Sequence, residues 1–185
     1  MTQSSIDQPT TAASAAPGGA RLGENAPDRV VYTVGHGARP FEAVAGHLRD
    51  QGVDLIVDIR SIPTSRHAPD FTKTRLTALA PQNGLGYRWL GDRLGGRPTD
   101  PALLRDGSPD WEAVARSDGF AAGLSELDGL LDAGVVALLC SELDPANCHR
   151  TLLVTPALEA RGLRVHHILA DGSVVDHQPT LDLDG

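Results

Sequence analysis

Aromatic residues are scarce in this chain: Phe, Tyr and Trp together make up 4% of its 185 residues. An interior of stacked rings is excluded. The core has to be assembled mainly from Leu, Val, Ile and Ala, within a hydrophobic fraction of 41% that is ordinary for a globular domain. Cysteine is limited to Cys140 and Cys148, too few for a disulfide framework, so a reducing cytoplasm is the expected setting. Cations are in deficit, with Lys+Arg at 16 against Asp+Glu at 24 and a net charge of −8. That balance argues against extended, non-specific nucleic-acid binding, which depends on a surplus of cationic side chains. No apolar run reaches the ~18 residues of a transmembrane helix, so no membrane partner is expected.

At roughly 100–200 residues per domain, the length allows one folded unit. Residues 1–29 are rich in Ser, Thr, Ala, Gly and Pro. Such a segment cannot bury enough surface to offset its ordering entropy, and it predicts a disordered tail. It has neither the basic start nor the apolar stretch of a signal peptide. A single α/β domain over 30–178 and a short C-terminal tail over 179–185 complete the expected organisation.

Within the domain, β-branched and apolar runs alternate with segments of helical periodicity. Strands are predicted at 30–34, 53–59, 87–90, 135–139 and 165–169, with a short edge strand at 173–176. Helices are predicted at 41–50 (Phe41, Val44, Ala45, Leu48), 72–80 and within 111–133 (Phe120, Leu124, Leu127, Leu131). A further helix is expected to start at Asp144-Pro145 and run to about Ala160 with a kink at Pro156. Strands alternating with helices imply a three-layer α/β sandwich around a mainly parallel sheet of about five strands.

In such sheets ligands bind beyond the carboxyl ends of the strands. Three strands here run into polar sequence: Gly35-His36-Gly37, the stretch from Asp58 to Arg66, and the stretch from Cys140 to Arg150. In a parallel sheet all three converge on one rim. The segments YTVGHG, VDIRSIPTSR, the stretch from Phe71 to Leu76, LGGRP and CSELDPANCHR, in this order, resemble the domain-of-unknown-function 488 family over about residues 30–170. The resemblance implies an α/β domain with a polar site and no settled activity.

The residues themselves say more. The segment 58–97 nets +4, so the remainder of the chain carries −12. Positive charge gathered around strand-end loops of an acidic protein points to a small anionic ligand or nucleotide, for which arginine offers a planar fork. Arg60, Ser61, Arg66, Cys148 and Arg150 are the candidate ligand-binding residues. His36, Asp58, Cys140, Glu142 and His149 are the candidate catalytic ones. Asp58 fits a general base, a hydroxyl acceptor or the partner that orients Arg60, and the last is the commonest role of a paired carboxylate. Cys140 stands where a nucleophile or a core thiol would. Cys148, His149 and Arg150 fall in the early turns of the expected helix, where free N–H groups favour an anion and lower a thiol pKa.

Some chemistries are excluded by spacing. Cys140 and Arg150 are too far apart for a phosphatase loop, the two cysteines do not form C-x-x-C, and no compact rhodanese loop surrounds Cys140. Cys140, Cys148, His149, Glu142 and His36 include enough ligands for zinc or iron. Adjacent Cys148 and His149 would point about 100° apart on a helix, however, so no metal site is assigned. The spacing identifies no cofactor. The expected function is an enzyme, a transferase or hydrolase acting on an anionic, phosphate-bearing substrate of nucleotide or nucleic-acid type. The alternatives are a non-catalytic sensor of a small anion and a thiol- or metal-centred redox protein.

Overall fold

The structure, a computed structural model, describes residues 29–146 and 148–178. The expected tails at 1–28 and 179–185 lie outside the described residues. The chain alternates as predicted: β1 (Val30–Gly35), α1 (Phe41–Asp50), β2 (Leu55–Asp58), α2 (Lys73–Gln82), β3 (Gly86–Trp89) and the short α3 (Gly91–Leu94). A two-residue hairpin, β4 (Leu104–Arg105) and β5 (Ser108–Pro109), follows. Its turn is Asp106-Gly107, both at positive φ, the dipeptide that a tight right-twisting hairpin turn selects. Then come α4 (Trp111–Ala115), α5 (Asp118–Ala133), β6 (Val136–Cys140), α6 (Thr155–Glu159), β7 (Arg164–Ile168) and β8 (Val174–Asp176).

The main sheet has six strands in the order β3-β2-β6-β1-β7-β8. All neighbours are parallel except β8, which returns antiparallel to β7 as an edge strand. From β1 the chain runs out to one edge through β2 and β3, and returns to the centre at β6. It then fills the other edge with β7 and β8. Strand β6 is buried at every residue, which explains its unbroken apolar reading.

Side chains alternate across the sheet into two cores. Val136 and Leu138 of β6 join Val31, Val57, Leu124, Leu127 and Leu158 on one face. Ala137 and Leu139 join Phe41, Leu48, Leu76 and Ile168 on the other. The scarce phenylalanines, Phe41, Phe71 and Phe120, are all fully buried.

Two expectations change in detail. The helical stretch 111–133 is divided at Ser117, whose side chain accepts from the Phe120 N–H and caps α5. The Asp144-Pro145 helix does not start where predicted. Asp144 accepts from the Ala146 N–H and forms a turn, and helical backbone begins only around His149. Residues Arg150–Val154 then form a wide π turn, in which the Arg150 carbonyl accepts from both the backbone and the hydroxyl of Thr155. Pro156 sits in the first turn of α6, where its missing N–H is harmless, rather than kinking a continuous helix.

Candidate functional site

Backbone pairing decides which side chains meet. Gly35 is level with Cys140 in the β1–β6 register, and Asp58 is level with Leu139 in the β2–β6 register. Pairing continues past the strand ends, with His36 N–H donating to the Cys140 carbonyl (3.0 Å) and Gly37 N–H to that of Ser141 (2.9 Å). The three polar strand ends therefore form one rim, as their sequence predicts. Gly35 is required there by close approach: a Cβ would lie 1.7 Å from the Glu142 carbonyl oxygen.

Beneath the rim lies a buried ion pair. Asp58 is fully buried and Arg60 is 4% exposed. Arg60 Nη2 donates to Asp58 Oδ2 (2.6 Å) and Nε to Oδ1 (2.8 Å), a bidentate fork, while the Arg60 N–H donates to Oδ1. Tyr87 Oη donates to Asp58 Oδ2 (2.9 Å) and Trp89 Nε1 to the Arg60 carbonyl (2.9 Å), so two alternate residues of β3 clasp the pair. Burial, and then the Asp58 charge, push the Tyr87 phenol upward, keeping it a donor. Arg60 Nη1 donates in turn to His36 Nε2 (3.0 Å), and His36 Nδ1–H donates to the Gly37 carbonyl (2.7 Å). His36 stacks on Phe71. Burial foremost, and Arg60 beside it, lower its pKa to about 4. It is a neutral acceptor that holds Arg60, with both ring nitrogens engaged.

Above this layer opens a cavity of about 540 Å³, lined by Arg60, Ser61, Cys140, Glu142, Cys148 and His149, together with Ile62, Thr64, Gly96, Arg97, Trp111 and Ser141. Six of the ten residues singled out from the sequence thus line one cavity. Asp58 and His36 lie behind it and position Arg60. Arg150 is 1% exposed and donates Nη2 to the Leu143 carbonyl (3.0 Å), under the rim rather than in the cavity. Arg66 is exposed and does not line the cavity. Of the other basic residues in 58–97, Arg88 and Arg93 both pair with Glu126 of α5, and Arg75 pairs with Asp70.

Arg97 and Gly96 are among the cavity residues the sequence left out of the site, with Ile62, Thr64, Trp111 and Ser141, and Gly95 packs just beside them. A Cβ on Gly95 would lie 2.2 Å from Ser61 Oγ, and one on Gly96 would lie 2.7 Å from the His149 Cβ. The absence of side chains lets this turn pack against both loops, and Ser61 Oγ accepts from the Arg97 N–H (2.9 Å). The signal was the cation next to a double glycine.

The cavity floor is a thiol–imidazole cluster. Cys140 Sγ and Cys148 Sγ are 2.9 Å apart, and His149 Nδ1 lies 3.7 Å from the first and 3.8 Å from the second. The expected divergence of Cys148 and His149 on a regular helix does not occur, because helical backbone starts only at His149. The hydrogen bond from Cys148 holds the Cys140 thiol down at about 3, with His149 helping against burial, and the same contact pushes Cys148 upward. The contact favours the charged form at Cys140 and the neutral form at Cys148.

Residues 40–156 match the family model described as domain of unknown function DUF488, and the chain belongs to that family. No curated protein and no solved structure matches it. Among the described residues no helix is long and apolar enough to cross a membrane.

Proposed function

We propose that the protein is an enzyme acting on a small anionic, phosphate-bearing substrate, of nucleotide or nucleic-acid type, at the carboxyl-end rim of its sheet. One observation carries the reading: Cys140, His149 and Glu142 face the same 540 Å³ cavity as Arg60 and Arg97. A reactive thiol, a proton-carrying pair and guanidinium donors in one concave site are the parts that group transfer or hydrolysis requires. Arg60 is preorganised by Asp58 and His36, so it presents its remaining N–H groups without reorganisation. A second cavity of about 380 Å³ shares Ser61 and Arg97 with the first and leaves room for a substrate longer than a single phosphate. A reducing cytoplasm suits the two free thiols.

The test is a thermal-shift screen against nucleotides, sugar phosphates and short oligonucleotides, followed by turnover assays on any compound that stabilises the protein. A hit should be weakened at least tenfold in Arg97→Ala, and Glu142→Gln should lose turnover while still binding. Binding without any turnover would favour a non-catalytic sensor. A screen in which no anion shifts the wild-type protein would remove the reading.

A further inference from the structure

The cluster on the cavity floor has a geometry that anion binding does not need. Two sulfurs and one ring nitrogen, contributed by the end of β6 and the start of the following helical turn, lie within 4.8 Å of one another. His149 Nε2 is 3.1 Å from the Ile59 carbonyl. A carbonyl only accepts, so Nε2 carries a proton, and in the neutral ring this leaves the Nδ1 lone pair facing the two sulfurs at 3.7 and 3.8 Å. A backbone carbonyl that fixes the tautomer of the opposite ring nitrogen is the usual outer support of a metal-ligating histidine.

We propose that Cys140, Cys148 and His149 hold a zinc ion, with the fourth position open to the cavity. A tetrahedral zinc with sulfur at ~2.3 Å and nitrogen at ~2.0–2.1 Å separates sulfur from nitrogen by about 3.5–3.6 Å. The 3.7 and 3.8 Å distances here need almost no adjustment. The same ion separates its sulfurs by roughly 3.8 Å, so the 2.9 Å pair opens by about 1 Å on loading. Two thiolates and one imidazole suit zinc over magnesium or calcium, which prefer oxygen ligands. Three protein ligands beside an open cavity are the arrangement of a catalytic rather than a structural zinc. The open position faces Arg60, Ser61 and Glu142. It would take water or an oxygen of an anionic ligand.

The proposal shares its cavity with the proposed function but needs no substrate, so the two fail separately. The experiment is elemental analysis of the full chain purified without chelator, followed by removal of metal and titration with Zn²⁺ and Co²⁺. One equivalent of zinc should bind. Cobalt should give the intense visible bands of a tetrahedral site and a near-ultraviolet thiolate charge-transfer band. Cys140→Ser and His149→Ala should each lose at least tenfold in zinc affinity, while His67→Gln, an exposed histidine, should not. If the cysteine variants fail to fold, alkylation of the wild-type thiols decides: zinc should protect both and chelation should expose them. A folded wild-type protein that takes up neither ion overturns the proposal, whatever the nucleotide screen finds. So does a Cys140–Cys148 disulfide, seen as a mass loss of two hydrogens, in protein handled under reducing conditions.

Discussion

Asp58 and Arg60 show how a buried carboxylate outside a cavity fixes a guanidinium that lines it. Both are almost completely buried, and Asp58 accepts from the Nε, Nη2 and backbone N–H of Arg60 as well as from Tyr87 Oη. Such a pair adds little over an apolar replacement, but removing one partner strands a charge where water cannot reach it. Asp58→Asn should therefore cost about 3–5 kcal/mol in urea unfolding. Tyr87→Phe, which deletes one donor to the same carboxylate, should cost about 1 kcal/mol. Equal and small losses in both variants would mean that the pair is solvated in solution. Asp58 and Arg60 were legible as partners because residues two apart at a strand end share a face. That His36 is the third member was not, since His36 and Arg60 follow the ends of β1 and β2, strands that are not neighbours in the sheet.

At the scale of elements, caps and close approaches mark where the chain has to stop or turn. Ser117 ends α4 by donating to the Val114 carbonyl and starts α5 by accepting from Phe120. Ser117→Ala should lower stability by about 1 kcal/mol, measured by chemical denaturation, without changing the cavity. Gly35→Ala should behave oppositely. Its Cβ would overlap the Glu142 carbonyl, so the rim has to shift, and ligand or metal binding should fall more than stability does. Unaltered binding in a folded Gly35→Ala protein would show that the β1 and β6 loops are not mechanically tied. The strands and the long helices were readable from periodicity, which reports burial directly. The turn at Asp144 and the π turn after it were not, because Asp-Pro is equally good chemistry for a turn and for a helix start. The choice between them is made by the rim contacts of Arg150 and Cys148.

The whole molecule adds a response to acid. His36 and His167 are both held near a pKa of about 4, chiefly by burial, against 6.5 for an ordinary histidine. His36 is faced by Arg60, Asp58 and Cys140, and His167 by Arg150, His177 and His166. Between those two values the unfolded chain binds more protons than the folded one, so stability rises with pH. It should be lost progressively as pH falls from about 6.5 toward 4. Urea midpoints at stepped pH should trace that decline, and His167→Gln should flatten part of it. A profile that is level across the window would refute the neutral, buried state of both rings.

The sequence by itself determined the α/β class, the parallel sheet, the polar rim and membership of a family, because periodicity, strand-end composition and ordered motifs are local properties. It also named six of the cavity's residues, since chemistry concentrated at strand ends is visible without coordinates. Only the tertiary structure decided that Arg150 is buried beneath the rim, that Arg66 lies outside it, and that Arg97 belongs to it. Only the structure turned Cys148 and His149 toward Cys140. These outcomes depend on how β6 inserts between β1 and β2 and on where the following turn becomes helical. Both are set by packing between segments far apart in the chain, which no local pattern encodes.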